Sequence, residues 1–162
     1  MATWKMVGGA TFNQDIDETS TYQEAPLGTR VQARDIDNPG YGTSEFVYCV
    51  GTASTAAGDL VLIDSNGFTT TRADADDVGK CGVAMSANVA SQYGWYCVDG
   101  TVEITSGDVA DGAQLYLTST AGSVDDAVVP GDVIYGAYAV ADDSGGKTLS
   151  SISHPFVNNV SN

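Results

Sequence analysis

Short apolar runs separated by turn-forming residues are the feature that most restricts the fold of this chain. The run GWYCVDGTVEI at 94–104 shows the pattern most clearly, because apolar and polar residues alternate along it. Side chains of a β-strand point to opposite faces in turn, so this alternation predicts a half-buried antiparallel strand. The glycine on the apolar side predicts a bulge or a close approach by another backbone. The apolar side consists of Tyr96, Val98, Gly100, Val102 and Ile104.

Comparable runs follow one another along most of the chain. None of them keeps the apolar period of a long helix, and the best helix candidate is a single turn at 74–80. The 19 glycines, together with Asp, Asn and Ser, fall between the runs, which is typical of β proteins with many turns. The sequence therefore predicts an all-β fold. The predicted strands are 29–33, 45–50, 59–64, 68–73, 80–87, 94–104, 114–119, 132–141 and 147–153.

The first 44 residues differ from the rest in composition. They are polar, are interrupted by Pro26 and Pro39, and contain a single strand-like piece, TRVQA. We therefore predict an N-terminal arm at 1–44, partly extended and partly ordered only against a partner, followed by a β domain at 45–157 and a tail at 158–162. On this division, removal of residues 1–25 leaves the β domain folded and weakens partner binding.

The charge of the chain excludes several classes of partner. It has 21 acidic and 6 basic residues, a formal net charge of −15. DNA, RNA and anionic lipid would repel such a surface, and no basic patch interleaved with aromatic residues is present, so we predict no nucleic-acid or membrane partner. The sequence shows neither a signal peptide nor a run of 18 apolar residues, and we expect synthesis and folding in a cytoplasm.

Few residue patterns in the chain can support catalysis. His154 is the only histidine, and no GxSxG elbow, phosphate-binding glycine loop or zinc-like Cys and His spacing accompanies it. We predict that His154 packs or contacts a partner. Cys49, Cys81 and Cys97 each lie in or beside an apolar run, and we expect free thiols that pack as small hydrophobic side chains.

Clusters of acidic residues are the remaining candidates for chemistry. Asp74, Asp76 and Asp77 offer oxygen ligands in one loop, but they lack the calcium-loop pattern of an EF-hand, and Asp is also a common turn former. A bound divalent ion there stays open, as does a paired-carboxylate glycosidase, which would need an aromatic-lined cleft. We predict no catalytic residue, no cofactor and no resident metal.

Five segments carry a resemblance to a known family. They are PLGTRV (26–31), EFVYCVGTASTAAGDLVLID (45–64), GKCGVAMSA (79–87), GWYCVDGTVEI (94–104) and ISHPFV (152–157). In these segments the chain resembles the capsid decoration proteins of tailed bacteriophages, also called head-stabilising or cement proteins. The resemblance implies a compact domain of barrel-like or tulip-like topology. It also implies homotrimers on the outer capsid surface at local three-fold positions, with the arm pairing with the major capsid protein. It brings no catalytic residues.

The resemblance assigns expected roles to two sets of residues. The strand-like piece of the arm suits β-augmentation, the addition of a strand to a neighbour's sheet edge, and its capsid-contact candidates are Leu27, Thr29, Arg30 and Val31. Subunits this acidic repel each other, so trimer contacts must be apolar, and salt should favour them. The oligomer-interface candidates are Trp95, Tyr96, Tyr135, Tyr138 and Phe156, and the alternative for each is a place in the ordinary core.

The leading hypothesis is thus a virion protein on the outer capsid surface, assembled in the host cytoplasm, that stabilises the phage head against internal pressure. The alternative is a tail- or fibre-associated β domain that binds a host glycan. A hydrolase with a carboxylate pair is a third hypothesis, and it predicts a deep cleft with two neighbouring acids.

Overall fold

The computed structural model describes residues 3–9 and 11–159, and in this part of the chain every regular element is a β-strand apart from one 3₁₀ turn at Pro39–Tyr41. The all-β class predicted from the sequence is confirmed. No helix in the described ranges has the length and apolarity needed to cross a membrane. The strands are β1 (Trp4–Val7), β2 (Arg30–Asp35), β3 (Thr43–Val50), β4 (Leu60–Ile63), β5 (Thr70–Arg72), β6 (Gly79–Ala84), β7 (Tyr93–Thr105), β8 (Gln114–Leu117), β9 (Val124–Asp125), β10 (Val133–Ala139) and β11 (Lys147–Val157).

The strands form one antiparallel sheet with a branch. Its order is β1-β2-β3-β7-β6-β11-β10-β8-β9, and the β4–β5 hairpin joins it through β6. Strand β11 pairs with β7 along its first half and with β6 at its end. The path of pairings among the described strands is open, with β1 and β9 at its ends, so it does not close into a barrel.

The central strands bury side chains on both faces of the sheet. In β3, Phe46 and Tyr48 point to one face, while Val47 and Cys49 point to the other. We call the larger cluster the main core and the smaller cluster the second core. The second core consists of Val47, Cys49, Val61, Ala84, Tyr96 and Val98, with Ile63 and Phe68 packed against it.

A bulge in β7 interrupts its pairing with β3. Glu45 lies opposite Asp99, whereas the next residue, Phe46, lies opposite Cys97, so β7 has one additional residue at Val98. An additional residue reverses the facing of every side chain beyond it, because side chains alternate along a strand.

The bulge corrects the prediction of a single apolar side from Tyr96 to Ile104. Tyr96 and Val98, before the bulge, belong to the second core. Val102 and Ile104, after it, belong to the main core. The residues predicted to form one apolar side of β7 therefore belong to two different cores.

Gly100, just beyond the bulge, meets the expectation of close backbone approach. Its φ is +124°, a backbone conformation that residues with a side chain rarely adopt. The Cα of Ser44 lies only 2.9 Å from the position that a Cβ on Gly100 would take. Any larger residue here would have to displace the backbone of β3.

The segment at 3–44 packs against the main core. The predicted strand at 29–33 corresponds to β2, and β1, which the sequence analysis did not predict, pairs with it. Trp4 meets Phe46 edge-on at 5.1 Å between ring centroids, and Ile16 and Ala25 are buried in the same cluster. These contacts argue against the expectation that the β domain stays folded without residues 1–25, which a deletion variant would test. Residues 1, 2 and 10 of the predicted arm, and 160–162 of the predicted tail, lie outside the described residues.

Gln14 fixes this segment to the sheet through hydrogen bonds. Its Nε2 donates to the carbonyl oxygens of Glu18 and Tyr93, each at 2.8 Å. Its Oε1 accepts from the Tyr48 hydroxyl at 2.5 Å, and its own carbonyl accepts from the Trp95 indole at 3.3 Å. Buried polar groups are stable only when they are paired, so this network specifies where residues 11–18 lie.

Candidate interaction surface

Two of the predicted oligomer-interface residues lie inside the chain. The side chains of Trp95 and Tyr96 are fully buried, Trp95 in the main core and Tyr96 in the second. The Tyr96 hydroxyl lies 3.2 Å from Thr70 Oγ1. Neither ring reaches a partner in the folded chain, which corrects their assignment as interface contacts and places both in the core.

The other three predicted interface residues are exposed and lie on neighbouring strands. Tyr135, Tyr138 and Phe156 expose 40%, 49% and 43% of their surfaces, and we call this set the aromatic patch. Tyr135 pairs with Phe156 across β10 and β11, and their rings stack at 5.3 Å between centroids. Exposed aromatic side chains placed side by side are typical of contact surfaces.

A groove of about 410 Å³ adjoins the aromatic patch at Phe156. Its apolar wall continues the second core, and three basic side chains, from β2, β6 and β11, also line it. We call it the basic groove. Its lining includes Val47, Ile63, Phe68, Val98, Pro155 and Phe156, with Arg30, Lys80 and His154 as the basic members.

The lining of the basic groove contrasts with the acidic composition of the whole chain. Among the residues at 3–9 and 11–159, no Asp or Glu lines it, although the chain has a net charge of −15 and only 6 lysines and arginines. Arg30 is paired with Glu45 at 2.5 Å, and His154 Nε2 lies 3.9 Å from Asp99 Oδ2. Lys80 has no ion pair within the described ranges. Lys80 is therefore the basic side chain of the groove that is available to a negatively charged group, and it lies beside the apolar wall.

Two lining residues hold a backbone conformation that is costly for them. Phe68 has a φ of +54° and His154 a φ of +44°, both in the left-handed region. Such conformations cost on the order of 1 kcal/mol for residues other than glycine, and they concentrate at functional sites. At Phe68 the conformation sets the ring against Gly28, where a Cβ would approach the ring to 2.5 Å.

The predicted capsid-contact residues differ in their accessibility. Val31 is buried, Leu27 and Thr29 are half-buried, and Arg30 is exposed and lines the basic groove. Strand β2 pairs with β1 on one side at 32–35 and with β3 on the other at 30–34, so a partner strand cannot add to β2 at 32–34. Augmentation at residues 27–31 stays a prediction, and among the described strands β1 lies at this end of the sheet.

The single histidine does not complete a catalytic triad. Ser153 donates a hydrogen bond to Asp99 Oδ2 at 3.1 Å, and the same oxygen is the one nearest His154. General-base catalysis requires the imidazole between the nucleophile and the carboxylate, whereas here the carboxylate lies between the other two.

The aspartates at 74–77 stabilise a turn. Asp77 accepts from the amide of Asp74 at 2.8 Å, and Asp132 accepts from the amide of Asp76 at 2.8 Å. These residues form a turn rather than the predicted helical turn, and β6 begins at Gly79. In the described ranges, no three His, Cys, Asp or Glu side chains are grouped to hold a metal ion.

A second groove, of about 680 Å³, has an acidic lining that includes Asp17, Asp35, Asp37 and Glu103. Asp35 is its buried member, and both of its oxygens are occupied. They accept from the Asp37 amide at 2.9 Å and from Asn38 Nδ2 at 2.7 Å. Its hydrogen bonds are those of a turn-stabilising residue.

The three cysteines are buried free thiols, as the sequence analysis predicts. Burial raises the pKa of Cys49, Cys81 and Cys97 to about 12. Thiols in this state are poor nucleophiles and act as packing groups.

Comparison with known proteins gives a likeness of fold. No protein-family model matches the chain, and no curated protein is similar to it in sequence. Among solved structures, the chain is similar to the N base of the head fiber protein gp8.5 of bacteriophage phi29, with a TM-score of 0.51 and 17% sequence identity. The likeness covers 68% of this chain and 95% of that one. At this identity, the comparison shows that the two chains share a fold.

Proposed function

We propose that this chain is a structural protein of a tailed-phage head that binds the outer capsid surface as a decoration, or cement, protein. The observation that carries the proposal is the shared fold, because its likeness spans nearly the whole of a head fiber base. The sequence resemblance to decoration proteins supports the same class of protein. The major capsid protein is the proposed partner, with three copies of the chain grouped on the shell.

Physical features of the chain support this role. A net charge of −15 suits a surface that faces away from packaged DNA. The aromatic patch supplies apolar contact area on an otherwise acidic protein. In this proposal the chain acts through these surfaces and catalyses no reaction.

A cement protein stabilises a shell because it binds the assembled shell better than the separated subunits. The test uses particles of the encoding phage that lack this protein, heated with and without saturating added chain. We expect the added chain to raise the temperature at which the particles release DNA. An unchanged release temperature at saturation would refute the cement role.

Variants of the aromatic patch make this test specific. Tyr135→Ser and Phe156→Ser should reduce the number of copies bound per particle. Ile36→Ser is the matched control, because Ile36 is apolar, is 53% exposed and lies outside the patch and its groove. Equal binding by the patch variants and the control would show that the patch contributes neither to contacts between copies nor to binding of the shell.

The second candidate is a fibre-associated β domain that binds a host glycan, and the fold likeness to a head fiber base favours it. The two candidates differ in where the protein sits on a particle. Many copies spread over the shell, seen by electron microscopy, support the cement role. A few copies at one vertex or along the tail, together with binding on a glycan array, support the fibre role.

A further inference from the structure

Tyr22 is the most exposed of the large apolar side chains in the described part of the chain. It exposes 77% of its surface and lies in the segment DIDETSTYQE at 15–24, which has four acidic residues and no basic one. An aromatic ring this exposed contributes nothing to the chain's own core. We call 15–24 the acidic segment.

The acidic segment and the basic groove complement each other in the residue types they present. The groove combines apolar walls with Arg30, Lys80 and His154, and the segment combines an aromatic ring with Asp15, Asp17, Glu18 and Glu24. The groove, at about 410 Å³, has room for a tyrosine side chain. In a chain of net charge −15, this pairing brings opposite charges together where two copies meet, and so offsets their repulsion.

We propose that the basic groove receives Tyr22 of a second copy of this chain, with Lys80 next to the carboxylates of the inserted segment. The contact joins two different surfaces, so it is head-to-tail, and repetition of such a contact closes into a ring when the rotation permits. This inference deepens the proposed function, since it names the contact that holds the grouped copies together.

The acidic segment is held in place before any contact forms. The Gln14 side chain accepts a hydrogen bond from the Tyr48 hydroxyl and donates one to the carbonyl oxygen of Glu18. The Ser20 amide donates to the carbonyl oxygen of Tyr93 at 3.0 Å. A segment fixed by these bonds presents Tyr22 with little loss of conformational entropy on association.

The test is sedimentation of the full chain over a concentration series, without phage particles. We expect wild-type chain to self-associate, and Tyr22→Ser and Lys80→Glu each to weaken association at least about tenfold, as loss of an anchor side chain does. The matched controls are Val128→Ser, which removes an apolar side chain exposed at 76%, and Lys5→Glu, which makes the same charge change on the exposed side of β1. Both controls should associate like wild type.

The double variant Tyr22→Ser/Lys80→Glu decides whether the two side chains belong to one contact. We expect its loss to be clearly smaller than the product of the two single losses, since either change already breaks the shared contact. A monomeric wild-type chain, a Tyr22→Ser chain equal to Val128→Ser, or fully multiplicative losses would each overturn the proposal. Capsid binding is measured separately on particles, so failure of this contact is distinguishable from failure of the head-protein role.

Discussion

The two faces of the central sheet have similar sequences and different surroundings. Along EFVYCV, apolar residues occupy both faces of β3, so this run does not indicate which face is covered more completely by the rest of the chain. The main core is covered by residues from both ends of the chain, including Ile16 and Ile134. The second core has six buried residues and opens to the basic groove beside Phe68. Thus the coverage that distant segments provide decides which face is closed and which is available for contact.

The largest expected effect comes from removing the cover of the main core. Deletion of residues 1–25 exposes apolar side chains packed around Trp95 and leaves its indole without the Gln14 carbonyl. Burial of Ile16 and Trp4 alone contributes several kcal/mol, so we expect the free energy of unfolding to fall by more than about 5 kcal/mol. Urea denaturation followed by circular dichroism measures it, with full-length Tyr22→Ser as the control. A cooperative, near-wild-type transition in the deletion variant would show that the main core needs no N-terminal cover.

Adjacent aromatic residues on the two faces give a finer comparison. Trp95→Ala in the main core should cost about 3–5 kcal/mol, because it leaves a large cavity that neighbours cannot fill. Tyr96→Ala in the second core should cost less, about 2–3 kcal/mol, because the adjoining groove allows Phe68 to collapse into the space. Both values come from urea titration. A greater loss for Tyr96→Ala would reverse the ranking of the two cores.

Stability at high pH should fall because of thiols on both faces. The pKa of each cysteine is raised from 9.0 to about 12 by burial, so the folded state keeps protons that the unfolded state releases. The stabilisation of the folded state by these protonated thiols is complete below pH 9 and is lost as the pH rises toward 12. Each thiol contributes a slope of about 1.4 kcal/mol per pH unit in this window. Urea denaturation from pH 8 to pH 11 measures how steeply the free energy of unfolding falls with pH. The variant Cys49→Ala should reduce this slope by the contribution of one thiol.

The smallest effect concerns the rate at which each face opens. Burial raises the pKa of Cys49 in the second core and of Cys97 in the main core to about 12, so burial of the thiol alone does not rank the two. We expect Cys49 to be alkylated several-fold faster than Cys97 at pH 8, because the thinner core opens at a lower free energy. Mass spectrometry of the labelled peptides gives both rates. Equal rates would show that the two faces open together.

The strand positions were largely predictable, because strand periodicity and turn residues are local. Strands β3, β4 and β10 lie within or next to the predicted runs, and β2 overlaps TRVQA. Strand β1 was not among the predicted strands, and its four residues are held by pairing with β2 and by Trp4 packing on Phe46. The partners of these contacts lie 25 to 42 positions away along the chain, from Val7 opposite Gln32 to Trp4 on Phe46, and local patterns do not report them.

The candidate surface was predictable only in part. Tyr135, Tyr138 and Phe156, which are exposed, were predicted as contact residues because they are aromatic, and the same argument selected the buried Trp95 and Tyr96. The basic groove was not predicted at all. Arg30, Lys80 and His154 are separated by 50 and 74 positions in the sequence, and pairing of β11 with β6 helps bring them to one site.

By itself, the sequence determined an acidic all-β chain with turns at known places, because alternation, glycine spacing and charge are properties of neighbouring residues. Only the tertiary structure decided which apolar residues share a core. One additional residue at Val98 shifts the register of β7 and reverses the facing of all that follows. The tertiary structure also decided that basic side chains from three strands line one groove, since that depends on which strands pair across long sequence separations.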